Sequence, residues 1–405
     1  MASFMPAVAV SIMEVLGLYF VLELTAPEPV FSQSLLNTPA DELISIAQDH
    51  ESGGQIKAIH QLANRPKSLD SSVPVLARLT MSSTNSNPRV MAAAETSLKN
   101  IGEPAAEILK PFFDEKTKRG TLLGCSAAQA IGDPCKVYLP QLKELLNNGD
   151  QVDRHSALYA LKGIGVSGAE LLDDVIACLS DKDFNVRLMA CRVLETYGAK
   201  AAKSEPELLR LLEKGTPSVR GRAAICLASI GPKLQTANVE DLIAERLAGK
   251  GNRPVIPVEH ERHLMALAML GDKSKKHLEK IKTGLTHRSP LIQVCSAFTI
   301  YQITGETDET TKVLESLDKN DIQAAQALDT LGRFGGEASP FVPAVKKFLD
   351  SGDPVNRENA IVTLMRIGTD DPDIIKRIRR MVNDADPEVK LAAKEAMESL
   401  KLDNK

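Results

Sequence analysis

The chain has 405 residues, a formal net charge of −4, 4% aromatic residues and no tryptophan. That length holds two or three ordinary domains or one extended repeat array, and the absence of any alternating strand pattern favours the array. The acidic balance excludes a general affinity for phosphate backbones, so nucleic acid is not an expected partner, and basic runs such as IIKRIRRMV (374–382) read as solvated helix faces.

The first segment in chain order, MASFMPAVAVSIMEVLGLYFVLELTAPEPVFS, is the strongly apolar one and precedes the first basic residue, Lys57. Glu14 and Glu23 lie nine positions apart, on opposite sides of a helix, which argues against a surface amphipathic helix. A membrane span would carry Glu14 near its middle, at roughly 2.5 to 3.5 kcal/mol. A cleaved export signal fits Val30 and Ser32 before Gln33 but lacks the basic start of such signals. Residues 1–32 are therefore expected to be either a signal peptide of an exported or periplasmic protein or an apolar N-terminal helix of a cytoplasmic one. Residues 33–86 read as capping helices with a degenerate first repeat, and 87–405 as the array proper.

The repeat emerges when DFNVRLMACRVLETYG from Asp183 is set beside TPSVRGRAAICLASIG from Thr216. With the first residue as zero, apolar side chains recur at positions 3, 7, 11 and 14, one stripe of a helix. The frame also holds from Asn87, Asp150 and Asp353, more loosely from Thr117, Ser289, Asn320 and Asp386, and in degenerate form near Glu51. Second apolar runs such as LPQLKELLNNGD and PFVPAVKKFLDSGD lie between these helices, so each unit is predicted to be a helical hairpin. Asp, Asn, Thr or Ser at position zero is expected to cap the helix, with Pro88, Pro217, Pro290, Pro354 and Pro387 at its first position. Gly102, Gly132, Gly165, Gly198, Gly231, Gly271, Gly335 and Gly368 are expected to end it.

About eleven units start at 51, 87, 117, 150, 183, 216, 256, 289, 320, 353 and 386, mostly 33 apart, with one interval of 40 before 256. A hairpin of that size cannot bury its stripe alone, so neighbours must stack. Position 4 is often basic (Arg154, Arg187, Arg220, Arg357, Lys390) and position zero often acidic, which predicts a charge ladder that fixes the register. Cys125, Cys135, Cys178, Cys191, Cys226 and Cys295 are scattered, without a CxxC pair, and read as buried free thiols.

A D-P-x-V-R-x-x-A-x-x-A-L-x-x-I-G helix repeated at this period resembles the HEAT-repeat superfamily, and the short unit is most similar to the HEAT-like repeats of phycobilisome lyases. The resemblance spans about residue 45 to 400 and implies an all-α fold, a right-handed α-solenoid whose second helices line a concave face. It does not fix the function, because this superfamily includes scaffolds, bilin lyases, a metal-dependent hydroxylase and DNA repair proteins. The hydroxylases carry repeated His-Glu pairs that converge on two irons, whereas this chain has only His50-Glu51 and His260-Glu261, at different offsets in the frame.

The stretch VIPVEHERHLMALAMLG (255–271) looks like a metal motif until it is placed in frame. Its origin is Ile256, which puts His260 in the usual arginine slot and His263 in the alanine slot. A zinc site on His260, His263 and Glu259 is the alternative, and it would need His277 or His287 as a further ligand. The positions most opposite the stripe, 5, 9, 12 and 13, hold His155, Tyr159, Lys162 and Gly163 in one unit and Val294, Phe298, Tyr301 and Gln302 in another. Their aromatics are candidate partner anchors, although a helix flanked on both sides would bury a wider belt. Arg262, Arg333 and Arg366 fall at positions 6 or 13 and form a possible basic row, suited to an acidic peptide, beside Glu261.

No nucleophile motif, paired acids or phosphate loop occurs, so the sequence calls for no cofactor. It points to a non-enzymatic scaffold for another protein or peptide, with no membrane contact beyond the N-terminal segment. A lyase-type enzyme, an enzyme accessory or a metal-binding repeat protein is the alternative.

Overall fold

The computed structural model describes residues 38–49, 54–81, 87–114, 117–247, 257–317 and 323–402. The N-terminal apolar segment, His50, Glu51 and the long interval 248–256 lie outside them. All regular structure among the described residues is helical, and no helix there is long and apolar enough to cross a membrane. The chain divides into two compact units, Met1–Leu208 and Leu209–Lys405.

In the first unit, α1 (Ala40–Gln48), α2 (Gln55–Ala63) and α3 (Leu69–Leu79) precede the first regular repeat. The capped helices are α4 (Pro88–Ile101), α7 (Lys118–Ile131), α9 (Gln151–Ile164) and α11 (Phe184–Tyr197). Each packs on the next to form one layer. The second runs, α5 (Glu103–Ile108), α6 (Lys110–Asp114), α8 (Leu139–Asn148) and α10 (Leu172–Cys178), lie between them in sequence and form the other layer. The boundary between units falls within α12 (Glu205–Lys214).

The second unit repeats the arrangement. Its corresponding helices α13 (Pro217–Ile230), α15 (Pro257–Met269), α17 (Pro290–Thr304), α19 (Gln323–Gly332), α21 (Pro354–Ile367) and α23 (Pro387–Leu402) pack in succession. The second runs are α14 (Val239–Ala244), α16 (Leu278–Lys282), α18 (Asp308–Ser316), α20 (Val342–Lys346) and α22 (Pro372–Met381). Each unit is therefore a helical solenoid of stacked hairpins, as the period requires.

The local chemistry follows the repeat frame. Val186, Ala190, Leu194 and Tyr197 are buried, as are Val219, Ala223, Leu227 and Ile230, so positions 3, 7, 11 and 14 are core. Asn87, Thr117, Asp150, Asp183, Asp353 and Asp386 each accept a backbone N–H from the first turn of their helix. Thr216 and Ser289 make no such bond, and there Pro217 and Pro290 remove one unpaired donor instead.

The eight predicted glycines all have positive φ. At Gly102, Gly132, Gly165, Gly198 and Gly231, ψ lies between −124° and −142°, a region essentially confined to glycine. The chain then commonly runs through a 3-10 turn, such as Gly165–Leu171 or Gly198–Ser204, before the second run turns α-helical. These second runs are thus shorter as α-helices than their apolar patterns suggested. Hydroxyls join successive capped helices: Thr299 donates to the Leu264 carbonyl at 3.2 Å and Thr363 to that of Leu328 at 2.8 Å. All six cysteines are buried and none is in a disulfide.

Candidate functional site

Charged side chains in this chain do two kinds of work, and the first is stacking. In the N-terminal unit Arg154, on α9, grips Asp181 in the loop before α11 through Nε at 2.6 Å and Nη2 at 3.1 Å. Its remaining Nη1 donates to the Gly149 carbonyl at 2.9 Å, and Asp181 also accepts the Asp183 N–H at 2.7 Å. In the C-terminal unit Arg357 and Asp384 form the same rung, at 3.1 and 2.8 Å, with Asp384 accepting the Asp386 N–H at 2.9 Å. Hydrogen bonding from Arg357 holds the Asp384 carboxyl below its ordinary range. The predicted ladder is present at Arg154 and Arg357, whereas Arg187 donates to the carbonyls of Asp181 and Lys182 instead, and one amendment applies. The acid is two residues before the cap, because the cap carboxylate is already occupied by its own helix.

The EHERH segment is an altered part of this ladder. Arg220 pairs with both oxygens of Glu259, at 2.6 and 2.8 Å, so Glu259 supplies the acid across the long interval. One repeat later His260 occupies the arginine slot and His287 the acid slot, two residues before Ser289. His287 Nδ1 accepts the Ser289 N–H at 3.1 Å, as the aspartates do at their caps, and Gln293 donates to the His287 carbonyl at 2.8 Å. The two imidazole centroids stand 5.9 Å apart where other rungs have a guanidinium on a carboxylate. Burial, with a smaller contribution from His287, pushes His260 down to about 4. His263, one turn further on, is 0% exposed and neither ring nitrogen has a hydrogen-bond partner. Burial, then the charges of His260, Arg220, Arg246 and Arg262, pushes it down to about 3.

These contacts occupy several of the groups that the zinc alternative on His260, His263 and Glu259 would need. Both Glu259 oxygens are committed to Arg220. His277 Nε2 bonds Asp241 at 2.6 Å. His287 Nδ1 accepts the Ser289 N–H. Among the described residues no three His, Cys, Asp or Glu side chains converge in a ligating group.

The second kind of work is at a ridge of the C-terminal unit. Arg333, just past α19, and Arg366, on α21, meet on one carboxylate, Asp329: Arg333 Nη2 at 2.9 Å and Arg366 Nη1 at 2.6 Å. Arg333 Nη1 reaches on toward Glu261 of α15 at 3.4 Å. Burial raises the Glu261 carboxyl above its ordinary range, opposed by the nearby charges of Arg333, Arg262 and Arg222. Glu261 and Arg262 are almost fully covered, whereas the Arg333 and Arg366 side chains are 21% and 23% exposed. Arg262 Nη1 donates to the Ser218 carbonyl at 3.1 Å.

Of the aromatic candidates, Phe298 is corrected to a core residue. It is 1% exposed, stacks on Phe334 at 3.6 Å and meets Phe341 edge-on at 6.2 Å. A capped helix is flanked by a neighbour on each side and backed by the second layer, so its buried belt is wider than the four-position stripe. Tyr301 is half-buried, edge-on to Phe341 at 5.0 Å. His155 and Tyr159 lie half-buried on α9 in the other unit; burial, then the charge of Arg192, pushes His155 down.

Sequence inspection missed Asp329, Arg222 and the origin of the ladder acids. For the last there was a signal: DKD before α11 and DAD before α23 each place an aspartate two residues ahead of the cap.

Residues 172–249 and 307–398 match the family model for HEAT repeats. These segments are HEAT repeats. A relative of the HEAT array, phycocyanobilin lyase subunit alpha from Thermosynechococcus vestitus, is 26% identical over 240 residues, which cover 55% of this chain and 84% of that protein. Among solved structures, importin beta aligns with 90% of this chain and 57% of its own at 13% identity and a TM-score of 0.48. An engineered protein aligns with 89% of this chain and 98% of its own at 19% identity and a TM-score of 0.38.

Proposed function

We propose that the protein is a non-enzymatic scaffold whose HEAT array holds another protein. The observation that supports this best is where its chemically capable side chains are spent. Arg154–Asp181, Arg220–Glu259 and Arg357–Asp384 lock repeats together, and His263 is sealed in the interior. What is left at the surface of the C-terminal unit is a charged ridge contributed by several successive repeats, which suits contact with a macromolecule better than turnover of a small one. Arg333 and Arg366 are its outermost candidates, with Glu261 and Arg262 beneath them; Tyr301, His155 and Tyr159 are half-buried candidates elsewhere.

The name of the 26%-identical relative favours a second possibility, service in a lyase-type assembly. One experiment separates the two. The full chain is purified from its native source after mild cross-linking and examined by mass spectrometry, metal analysis and absorption spectroscopy. A stoichiometric protein partner on a colourless, metal-free chain is the expected result. A stoichiometric chromophore or metal on the chain alone would overturn the scaffold.

A further inference from the structure

Stacking rungs in this protein match one arginine to one carboxylate through two donors, as at Arg154–Asp181, Arg220–Glu259 and Arg357–Asp384. The ridge of the C-terminal unit breaks that proportion. Two guanidinium groups, Arg333 and Arg366, converge on the single carboxylate of Asp329, and Arg333 reaches a second acid, Glu261, only at 3.4 Å. Arg262 and Arg222 add positive charge beside Glu261. Arg333 gives Asp329 two donors, Nε at 3.2 Å and Nη2 at 2.9 Å, and Arg366 adds a third, so one carboxylate serves two arginines in a setting where charge is poorly screened by water.

The ridge is also shaped for its arginines. A Cβ at Gly221 would stand 3.0 Å from the Arg262 stem; one at Gly332 would stand 3.2 Å from Thr363 Cα and Oγ1 and 3.3 Å from the Arg366 stem. Glycine in the preceding repeat therefore leaves the slot along which each arginine runs. Arg333 and Glu261 belong to capped helices two repeats apart and approach each other past α17.

We infer that this ridge docks an acidic segment of a partner protein, whose carboxylates pair with Arg333 and Arg366. The inference rests on the scaffold function proposed above and adds the surface and the chemistry of the partner. Guanidinium groups pair with carboxylates in two-pronged geometry, and the partially exposed faces of Arg333 and Arg366 are where such groups can reach. The chain's net charge of −4 favours a protein segment over a polynucleotide, because repulsion away from the ridge acts against a long phosphate backbone.

The test uses the full chain and fluorescence anisotropy of three labelled probes: a short Glu/Asp-rich peptide, the same peptide with Gln and Asn in place of its acids, and a single-stranded RNA. The acidic peptide is expected to bind, more weakly at higher salt, and the neutral one not to bind. The Arg333→Gln/Arg366→Gln double variant should weaken binding by about tenfold or more, the order of one lost charge-assisted contact. Asp329→Asn, which removes the internal competitor, should tighten it. That opposite sign keeps the test decisive even if the double variant misfolds by circular dichroism. Equal binding of the acidic and neutral peptides, tighter binding of RNA, or no tightening by Asp329→Asn would overturn the ridge. Capture of one identified native partner equally by wild type and a folded double variant would overturn the ridge while sparing the scaffold; no protein partner for either would remove both.

Discussion

Acidification offers a direct probe of the altered rung. His260 sits at about 4 and His263 at about 3, both below the ordinary 6.5, chiefly because burial penalises the imidazolium. A folded-state value below the unfolded one means that the unfolded chain takes up protons first as the pH falls. The associated stability is fully present above 6.5 and is lost progressively as the pH drops toward the folded values. At about pH 5 the penalty is about 2 kcal/mol for each histidine and about 4 kcal/mol for both. That is a large part of the roughly 5–15 kcal/mol typical of a folded domain.

Glu95 works in the other direction. Burial, opposed by Lys162, raises it to about 7, so its contribution is present below 4.5 and lost as the pH climbs through about 7. The informative quantity is therefore the difference between wild type and a His260→Leu/His263→Leu variant, in which Glu95 and the remaining histidines cancel. Urea unfolding followed by circular dichroism, from slightly alkaline to about pH 5, should show wild type losing about 4 kcal/mol relative to the variant. Parallel pH profiles for the two proteins would refute the assignment of buried, uncharged imidazoles at these positions.

Further expectations concern the ladder, the glycine ends and the N-terminus. Restoring a standard rung with His260→Arg/His287→Asp should show a favourable coupling of about 1–2 kcal/mol in a double-mutant cycle of unfolding free energies; zero coupling would mean that the two sites are not a rung. Glu259→Gln, which leaves Arg220 half-buried opposite a neutral group, should cost about 2–3 kcal/mol in urea unfolding, whereas an unchanged midpoint would remove Glu259 from the ladder. Gly165→Ala forces a side chain into φ 70°, ψ −142° and should cost about 1–3 kcal/mol although no atom obstructs the new Cβ. Sequencing the N-terminus of native protein should give Gln33 if the apolar segment is a cleaved signal, and Met1 or Ala2 would exclude cleavage.

The periodic parts of this molecule were readable because each repeat states its own boundaries. Pro217, Pro290 and Pro354 begin helices and Gly165, Gly198 and Gly231 follow them, since few other residues fit those backbone positions. The candidate site was readable only in part. Arg262, Arg333 and Arg366 stood out as off-stripe arginines, but their meeting on Asp329 depends on the curvature of successive helices, which no single repeat encodes. Phe298 misled because the opposite side of a helix is solvent only when the helix is flanked on one side. The histidines of EHERH resemble ligands because metal motifs and ladder slots share the same spacing; the hydrogen bond from Ser289 to His287, which repeats the Asp183–Asp181 contact, was not legible in the sequence.

The reach of a rung has a consequence for how such an array can change length. Arg154 and Asp181, like Arg357 and Asp384, are 27 residues apart, each pair joining one repeat to the next. If a repeat carrying such a pair is duplicated in phase, its arginine again faces an aspartate 27 residues on, so the array could be lengthened there without breaking a rung. Around α15 that freedom ends. Copying a neighbouring repeat into that place would set an arginine against His287 or strand Glu259 without its partner. The stretch from Arg220 to His287 is therefore closed to simple repeat exchange, unlike the repeats joined by an arginine–aspartate rung.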